Sequence, residues 1–211
     1  NEGVNVGITG RNEEHLKSTV AELEKLGVKA VYSVFNVEEM AQVEQGVASI
    51  ASQLGGIDIL INNAGVGDFG SFEDMPVETW EKVMKVNLFG VYYVAKATLP
   101  YLKQNKEGDI VNVASTAGLK GGPNMSAYSA SKAAVISLSQ SLMAELRKFN
   151  IRVITLTPST IATDMSIEGK LTDGNPEKVL QPEDFAEWVR DILKMNRRAM
   201  IANASIFSTN P

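Results

Sequence analysis

A tyrosine and a lysine four residues apart raise the question of function. In "SAYSASKAAV", residues 126–135, Tyr128 and Lys132 stand among alanines and serines that favour or tolerate a helix. Helical spacing puts both side chains on one face. An ammonium beside a phenol favours the phenolate, so the pair predicts a Tyr128 pKa lowered by Lys132. Such a group donates and accepts protons near neutral pH. The same spacing also suits an ordinary helix-surface pair. Two further stretches carry the same kind of chemistry. In "NNAG", residues 62–65, asparagine side chains can hold a turn while Ala64 and Gly65 let a ligand approach the backbone. "VNVAS" ends on Ser115, thirteen residues before Tyr128 across the Gly/Pro-rich "TAGLKGGPNM".

The elements that must position these residues follow from periodicity. Short apolar runs predict strands at 4–9, 29–35, 57–62, 109–115, 151–157 and 199–202. Amphipathic segments predict helices at 13–26, 38–54, 77–104, 126–149 and 182–195, the first closed by Gly27. The nearly unbroken apolar "IDILIN" and "IRVITLT" suit strands buried on both faces. Strand–helix alternation without repeats or linkers predicts one doubly wound α/β domain over residues 1–211, with a parallel sheet. Such sheets bind ligands beyond the carboxyl ends of their strands. Gly10-Arg11, Asn36-Val37, Asn63-Ala64-Gly65, Ser115 and Pro158-Ser159-Thr160 occupy those ends, and a serine and a phenol there can converge on one substrate oxygen.

Composition removes several function classes. The formal charge is −5 with no basic run, which argues against nucleic acid as main partner. With no cysteine there is neither a thiolate metal site nor a cysteine nucleophile. The single histidine, His15, lies in a polar helical stretch, and no serine occupies a Gly-x-Ser-x-Gly turn, so a Ser-His-Asp hydrolase or a zinc enzyme is hard to build. No apolar stretch reaches membrane-spanning length.

"NNAG" at 62–65, Asn87 in "VNLFG", Ser115, "YSASK" at 128–132 and the proline-led "PSTIATDM" at 158–165 together resemble the short-chain dehydrogenase/reductase family, in particular its 3-oxoacyl-acyl-carrier-protein reductases of fatty acid biosynthesis. The resemblance covers essentially the whole chain and implies a Rossmann-type fold and hydride transfer from a nicotinamide cofactor. It implies Tyr128 as general acid in carbonyl reduction, with Lys132 lowering its pKa and binding the nicotinamide ribose. Ser115 would polarise the substrate oxygen, and Asn87 would kink its helix and position a water in a proton relay. Asn36 and Val37 match positions that contact adenine, Asn63, Ala64 and Gly65 line the cofactor, and Ile161 and Thr163, after Pro158, match positions that hold the carboxamide. Ser159 stands where relatives usually carry glycine.

The resemblance places Arg11, fifty-one residues before Asn62, at the tip of the family's second strand. An acidic residue there binds the ribose of NAD, whereas an arginine accepts the 2′-phosphate of NADP, so NADP(H) is the expected cofactor. "GITGRNEE" is not the family's glycine-rich turn, so that turn and the first strand are expected to lie outside these 211 residues. A lid is expected over 164–180, with Met165, Ile167 and Leu171, and the tail "MIANASIFSTNP" departs from the Gly-rich segment of many relatives. The family implies a homodimer or homotetramer, a cytoplasmic location, and a small carbonyl or acyl-thioester substrate. An NAD(P)-linked alcohol or polyol dehydrogenase, and a non-catalytic dinucleotide-binding regulator of the same fold, are the alternatives.

Overall fold

The computed structural model describes residues 2–209, which leaves Asn1 and the last two residues of the C-terminal run outside the description. The chain alternates β1 (Val6–Gly10), α1 (Glu13–Lys25), β2 (Ala30–Val34), α2 (Met40–Leu54) and β3 (Ile59–Asn62). It continues through α3 (Val77–Met84) and α4 (Gly90–Gln104) to β4 (Gly108–Val113), α5 (Ser126–Leu146) and β5 (Ile151–Pro158). Helices α6 (Asp164–Glu168) and α7 (Pro182–Lys194) precede β6 (Asn203–Ile206). Local signals explain the helix starts. The Asn12 side chain accepts from the His15 amide at 3.1 Å ahead of Glu13 and Glu14, which suit the positive end of the helix dipole. Pro182 opens α7, and the Asp184 carboxylate accepts from the Gln181 amide at 2.8 Å.

Every strand pairing is parallel. Hydrogen bonding forms two ladders, β1–β2 and β3–β4–β5–β6, so β1 and β3 each carry one partner. All eight residues of β5 are buried, as its continuous apolar run predicts. Alternate residues of β4 and β5 feed opposite layers. Ile110 and Val153 pack with Leu102 of α4 and Leu146 of α5, while Val111, Ile154 and Leu156 pack with Val189 and Ile192 of α7. A third cluster, Phe35, Val43 and Val47 against Tyr93, Val94 and Ala97, joins α2 to α4.

A buried polar ladder crosses this core. Asn62 Nδ2 donates to Asn112 Oδ1 at 2.8 Å, Asn112 Nδ2 donates to Ser139 Oγ at 2.9 Å, and Ser139 Oγ donates to the Val135 carbonyl at 2.7 Å. It ties β3, β4 and α5 into one register, because slippage would leave these groups unpaired in the interior.

Two expectations about elements need correction. The last strand is Asn203–Ile206, not 199–202. Met200 and Ile201 are apolar because they pack against the Val111 layer, whereas the ladder starts beyond them, with the Thr155 amide donating to the Ala202 carbonyl at 2.9 Å and Thr155 paired with Asn203. The helix expected over 77–104 is interrupted by a π-helical turn at Lys85–Phe89, with the Gly90 amide reaching back to the Lys85 carbonyl.

Candidate active site

Tyr128 lies in the first turn of α5, and Ser115 lies two residues beyond the end of β4. The Ser115 hydroxyl lies near enough to the Tyr128 phenol to pull its pKa down. Ser115 Oγ also accepts from the Ala117 amide at 3.1 Å, which fixes the short turn after the strand. Lys132 Nζ sits 5.7 Å from the Tyr128 ring centre, on the same helix face. It donates to the Val113 carbonyl at 2.9 Å, and Lys132 is only 5% exposed.

The electrostatics differ from the expectation for this pair. Burial raises the Tyr128 pKa above its ordinary 10, and the Ser115 hydrogen bond pulls it down by less. Lys132 therefore does not set the phenol's acidity here. Desolvation instead brings the lysine itself down to about 8, because a buried ammonium has lost its water. Burial thus shifts both groups toward their neutral forms, the phenol upward and the amine downward.

Asn87 is fully buried in the π turn. Its Oδ1 accepts from the Val66 amide at 2.8 Å, and its Nδ2 donates to the Val66 carbonyl at 2.9 Å and to Ser131 Oγ at 3.0 Å. Ser131 Oγ in turn donates to the Tyr128 carbonyl at 2.7 Å. The kink expected at Asn87 is thus the widened turn, and its amide clamps the loop after β3 onto α5. Both ends of that amide are taken by protein groups. A Cβ placed on Gly65 would fall 3.3 Å from Asn87 Oδ1 and 3.6 Å from Lys132 Nζ, so a bare backbone passes directly over the polar pair.

The small residues of α5 seat the helix on the core. Ala127, Ser131, Val135 and Ser139, spaced by four, form its buried stripe. They let the helix lie close to the sheet and leave Tyr128 and Lys132 beside that seam.

The remaining site residues lie at strand tips. Arg11 is exposed just beyond β1. The Asn36 side chain turns back on its own loop, accepting from the Glu38 amide at 3.2 Å, and half-buried Val37 abuts Gly90 at the start of α4. Asn63 and Ala64 are exposed after β3. Pro158 closes β5, Ile161 pairs with Leu180 at the base of the 162–179 loop, and Thr163 stands at the start of α6. Arg11 and Asn36 belong to the β1–β2 ladder, whereas Ser115 and Pro158 belong to the other.

Several residues essential to this geometry are not evident from sequence. Ser131 shows only as a helical neighbour of Lys132, yet it links Asn87 to Tyr128. Ser166 Oγ donates to the Ile161 carbonyl at 2.6 Å and accepts from the Thr163 amide at 3.0 Å, fixing the turn after β5. Phe69 meets the Tyr128 ring edge to face, with centroids 5.6 Å apart. Its one signal is an aromatic residue soon after "NNAG". A cleft of about 380 Å³ opens at Phe69 and runs past Met125 to Leu171. A larger recess of about 450 Å³, along β2, includes none of these acid–base residues in its lining. Among the described residues no cluster of His, Cys, Asp and Glu suits a metal ion, and no helix is long and apolar enough to cross a membrane.

Known proteins resemble this chain in sequence and fold. A family profile described as short chain dehydrogenase matches residues 1–173. The 3-oxoacyl-[acyl-carrier-protein] reductase FabG of Thermotoga maritima is 37% identical over 177 residues, 84% of this chain and 70% of that protein. The alcohol dehydrogenase of the archaeon Thermococcus sibiricus, solved with 5-hydroxy-NADP, superposes with a TM-score of 0.91 at 25% identity, covering 100% of this chain and 88% of that one. An NAD+-bound xylitol dehydrogenase superposes at 0.90 with 27% identity, covering 98% and 89%. Parallel sheet and sequence agree: the chain belongs to the short-chain dehydrogenase family and is an NAD(P)-dependent oxidoreductase acting between CH–OH and C=O groups.

Proposed function

We propose that this protein is an NADPH-dependent carbonyl reductase whose substrate is a 3-oxoacyl thioester or a similar ketone. The observation that carries the reading is the Ser115–Tyr128–Lys132 group at the end of β4 and the start of α5. A phenol kept protonated by burial suits the donor of a proton to a developing alkoxide. Ser115 aims a hydroxyl at the same oxygen and stabilises its charge. Lys132 has one N–H spent on the Val113 carbonyl, and its remaining donors would hold the ribose.

A nicotinamide dinucleotide would approach the bare backbone at Gly65, which lies close over Asn87 and Lys132, with Asn63 and Ala64 exposed beside it and Ile161 and Thr163 fixed by Ser166. Bound there, the cofactor would supply the hydride. Asn36 and Val37 would contact adenine. Arg11, exposed at the β1 tip, supports NADPH over NADH by offering a guanidinium to the 2′-phosphate. Any relay water near Asn87 would be held by the backbone of the π turn, since the side chain is occupied. The proposal includes a further parallel strand and glycine-rich turn, outside the 211 residues, seated on the free edges of β1 and β3. It also includes a cytoplasmic homodimer or homotetramer.

The test uses the full-length protein. NADPH and NADH are titrated, and cofactor oxidation is followed on 3-oxoacyl thioesters, ketones and aldehydes. NADPH-selective binding with turnover is expected. Tyr128→Phe should lower turnover by about 10²–10⁴-fold while leaving NADPH binding within a few-fold. Arg11→Asp should reverse the preference toward NADH. Turnover with NADH alone would instead support a polyol or alcohol dehydrogenase, and binding without turnover a regulator.

A further inference from the structure

Phe69 is held in an unusual way for a loop residue. It follows β3 by seven residues and lies half-buried against Tyr128, with the two rings inclined at 64°. A Cβ on Gly67 would come within 2.7 Å of Phe69 Cζ, and one on Gly169 within 2.8 Å of Cδ2 and Cε2. The ring is therefore wedged between its own loop and the end of α6, in a slot that exists because both positions lack side chains. The Met165 sulfur lies 3.1 Å from the same Gly67 Cβ position, so α6 closes the slot from the lid side. Edge-to-face rings at this separation attract, which orients the phenol beyond what backbone geometry does.

The cleft of about 380 Å³ that starts at Phe69 is walled by Pro123, Met125 and Leu171, with Lys170 at its exposed margin. The lining is mixed, with Ser71, Asn124 and Lys170 beside the apolar Phe69, Pro123, Met125 and Leu171, and that apolar side accepts the hydrocarbon part of a ligand. Phe69 lines this cleft and also touches the Tyr128 ring, so it links the two.

We propose that Phe69 is a positioning and specificity-determining residue that orients the Tyr128 phenol and selects carbonyl compounds bearing an apolar alkyl or aryl group. The substituent lies along Phe69, Met125 and Leu171 while the carbonyl oxygen meets Tyr128 and Ser115. Small polar ketones make the second contact without the first. The selectivity rests on the carbonyl-reductase reading above.

The test compares wild type, Phe69→Leu and Phe69→Ala, as full-length protein with NADPH, on ketones and 3-oxoacyl thioesters of graded chain length. Phe69→Ala is expected to lower kcat/KM for long-chain and aryl substrates by about 10- to 100-fold, with the shortest ketone changed only about threefold. Phe69→Leu should recover the alkyl series and not the aryl one. The alkaline limb of the pH profile should also move to lower pH in Phe69→Ala, because water admitted beside Tyr128 relieves the burial that raises its pKa. A uniform loss along the series, or an unchanged profile and pH limb in an active enzyme, overturns the proposal. A wild type that turns over none of the series defeats the reductase reading and the selectivity with it. Ultraviolet titration of Phe69→Ala against Phe69→Ala/Tyr128→Phe then decides the positioning role, which an unshifted Tyr128 ionisation removes.

Discussion

Lys132 shows most directly how a functional residue strains its surroundings. Its amine has left water for a site with one carbonyl acceptor from the protein, and its pKa has come from 10.5 to about 8. At neutral pH the amine stays mostly protonated, and carrying that charge in the interior costs the folded state roughly 3 kcal/mol relative to the unfolded chain. Between about 8 and 10.5 the unfolded chain binds the proton and the folded one does not, so this group makes stability rise with pH through that window. Lys132→Met should therefore abolish turnover while raising stability at pH 7 by about 1–2 kcal/mol, the gain being reduced by the unpaired Val113 carbonyl. The advantage should shrink toward pH 10. Urea midpoints at both pH values check this, and a variant less stable than wild type at pH 7 would show that the amine's hydrogen bond outweighs its burial. Tyr128 shifts the opposite way for the same reason, since burial disfavours whichever form is charged.

Elements place these groups by departing from ideal geometry. The π turn between α3 and α4 buries Asn87, where its amide takes both backbone groups of Val66. One side chain thereby sets the loop after β3, which carries Gly65 over Lys132 and Phe69 onto Tyr128. Asn87→Ala leaves the Val66 amide and carbonyl and the Ser131 hydroxyl without that partner. A loss of about 2–4 kcal/mol is expected, together with faster hydrogen exchange at the Val66 amide and turnover lowered more than β5 protection. Unchanged exchange at Val66 would mean the loop is held by something other than Asn87. α5 complements this turn: its stripe of small residues seats the helix, and the positions beside the stripe carry the chemistry.

Across the whole molecule, chemistry and anchoring occupy opposite ends of the β3–β6 sheet. Ser115 and Pro158 lie at the carboxyl ends of β4 and β5, whereas Asp109 and Arg152 lie near their beginnings. There Arg152 Nη2 donates to Asp109 Oδ2 at 2.9 Å and Arg197 Nη1 to the same oxygen at 3.2 Å. The two arginines also donate to the carbonyls of Leu193, Met195, Gly108 and Asn150, so one buried carboxylate ties both strand starts to the segment after α7. Asp109→Ala should cost about 3–5 kcal/mol by leaving buried guanidinium charge uncompensated. Its kcat per folded molecule and its NADPH affinity should stay within twofold. A large loss of affinity in the folded variant would mean the two ends of the sheet are coupled. Chemical denaturation and cofactor titration on one preparation separate these outcomes.

The sequence by itself determined the parallel α/β architecture, most helix bounds within two residues, and the grouping of Ser115, Tyr128, Lys132 and Asn87. Periodicity and strand-end positions are local patterns, so they survive in one dimension. Tertiary structure decided what depends on who the neighbours are. The apolar 199–202 run became packing rather than strand because pairing needs a register with β5 that apolarity does not encode. The pKa of Tyr128 rose instead of falling because burial, summed over many surrounding atoms, outweighed the Ser115 hydrogen bond. Phe69 became a wall of the site because two glycines far apart in the chain leave room for one ring.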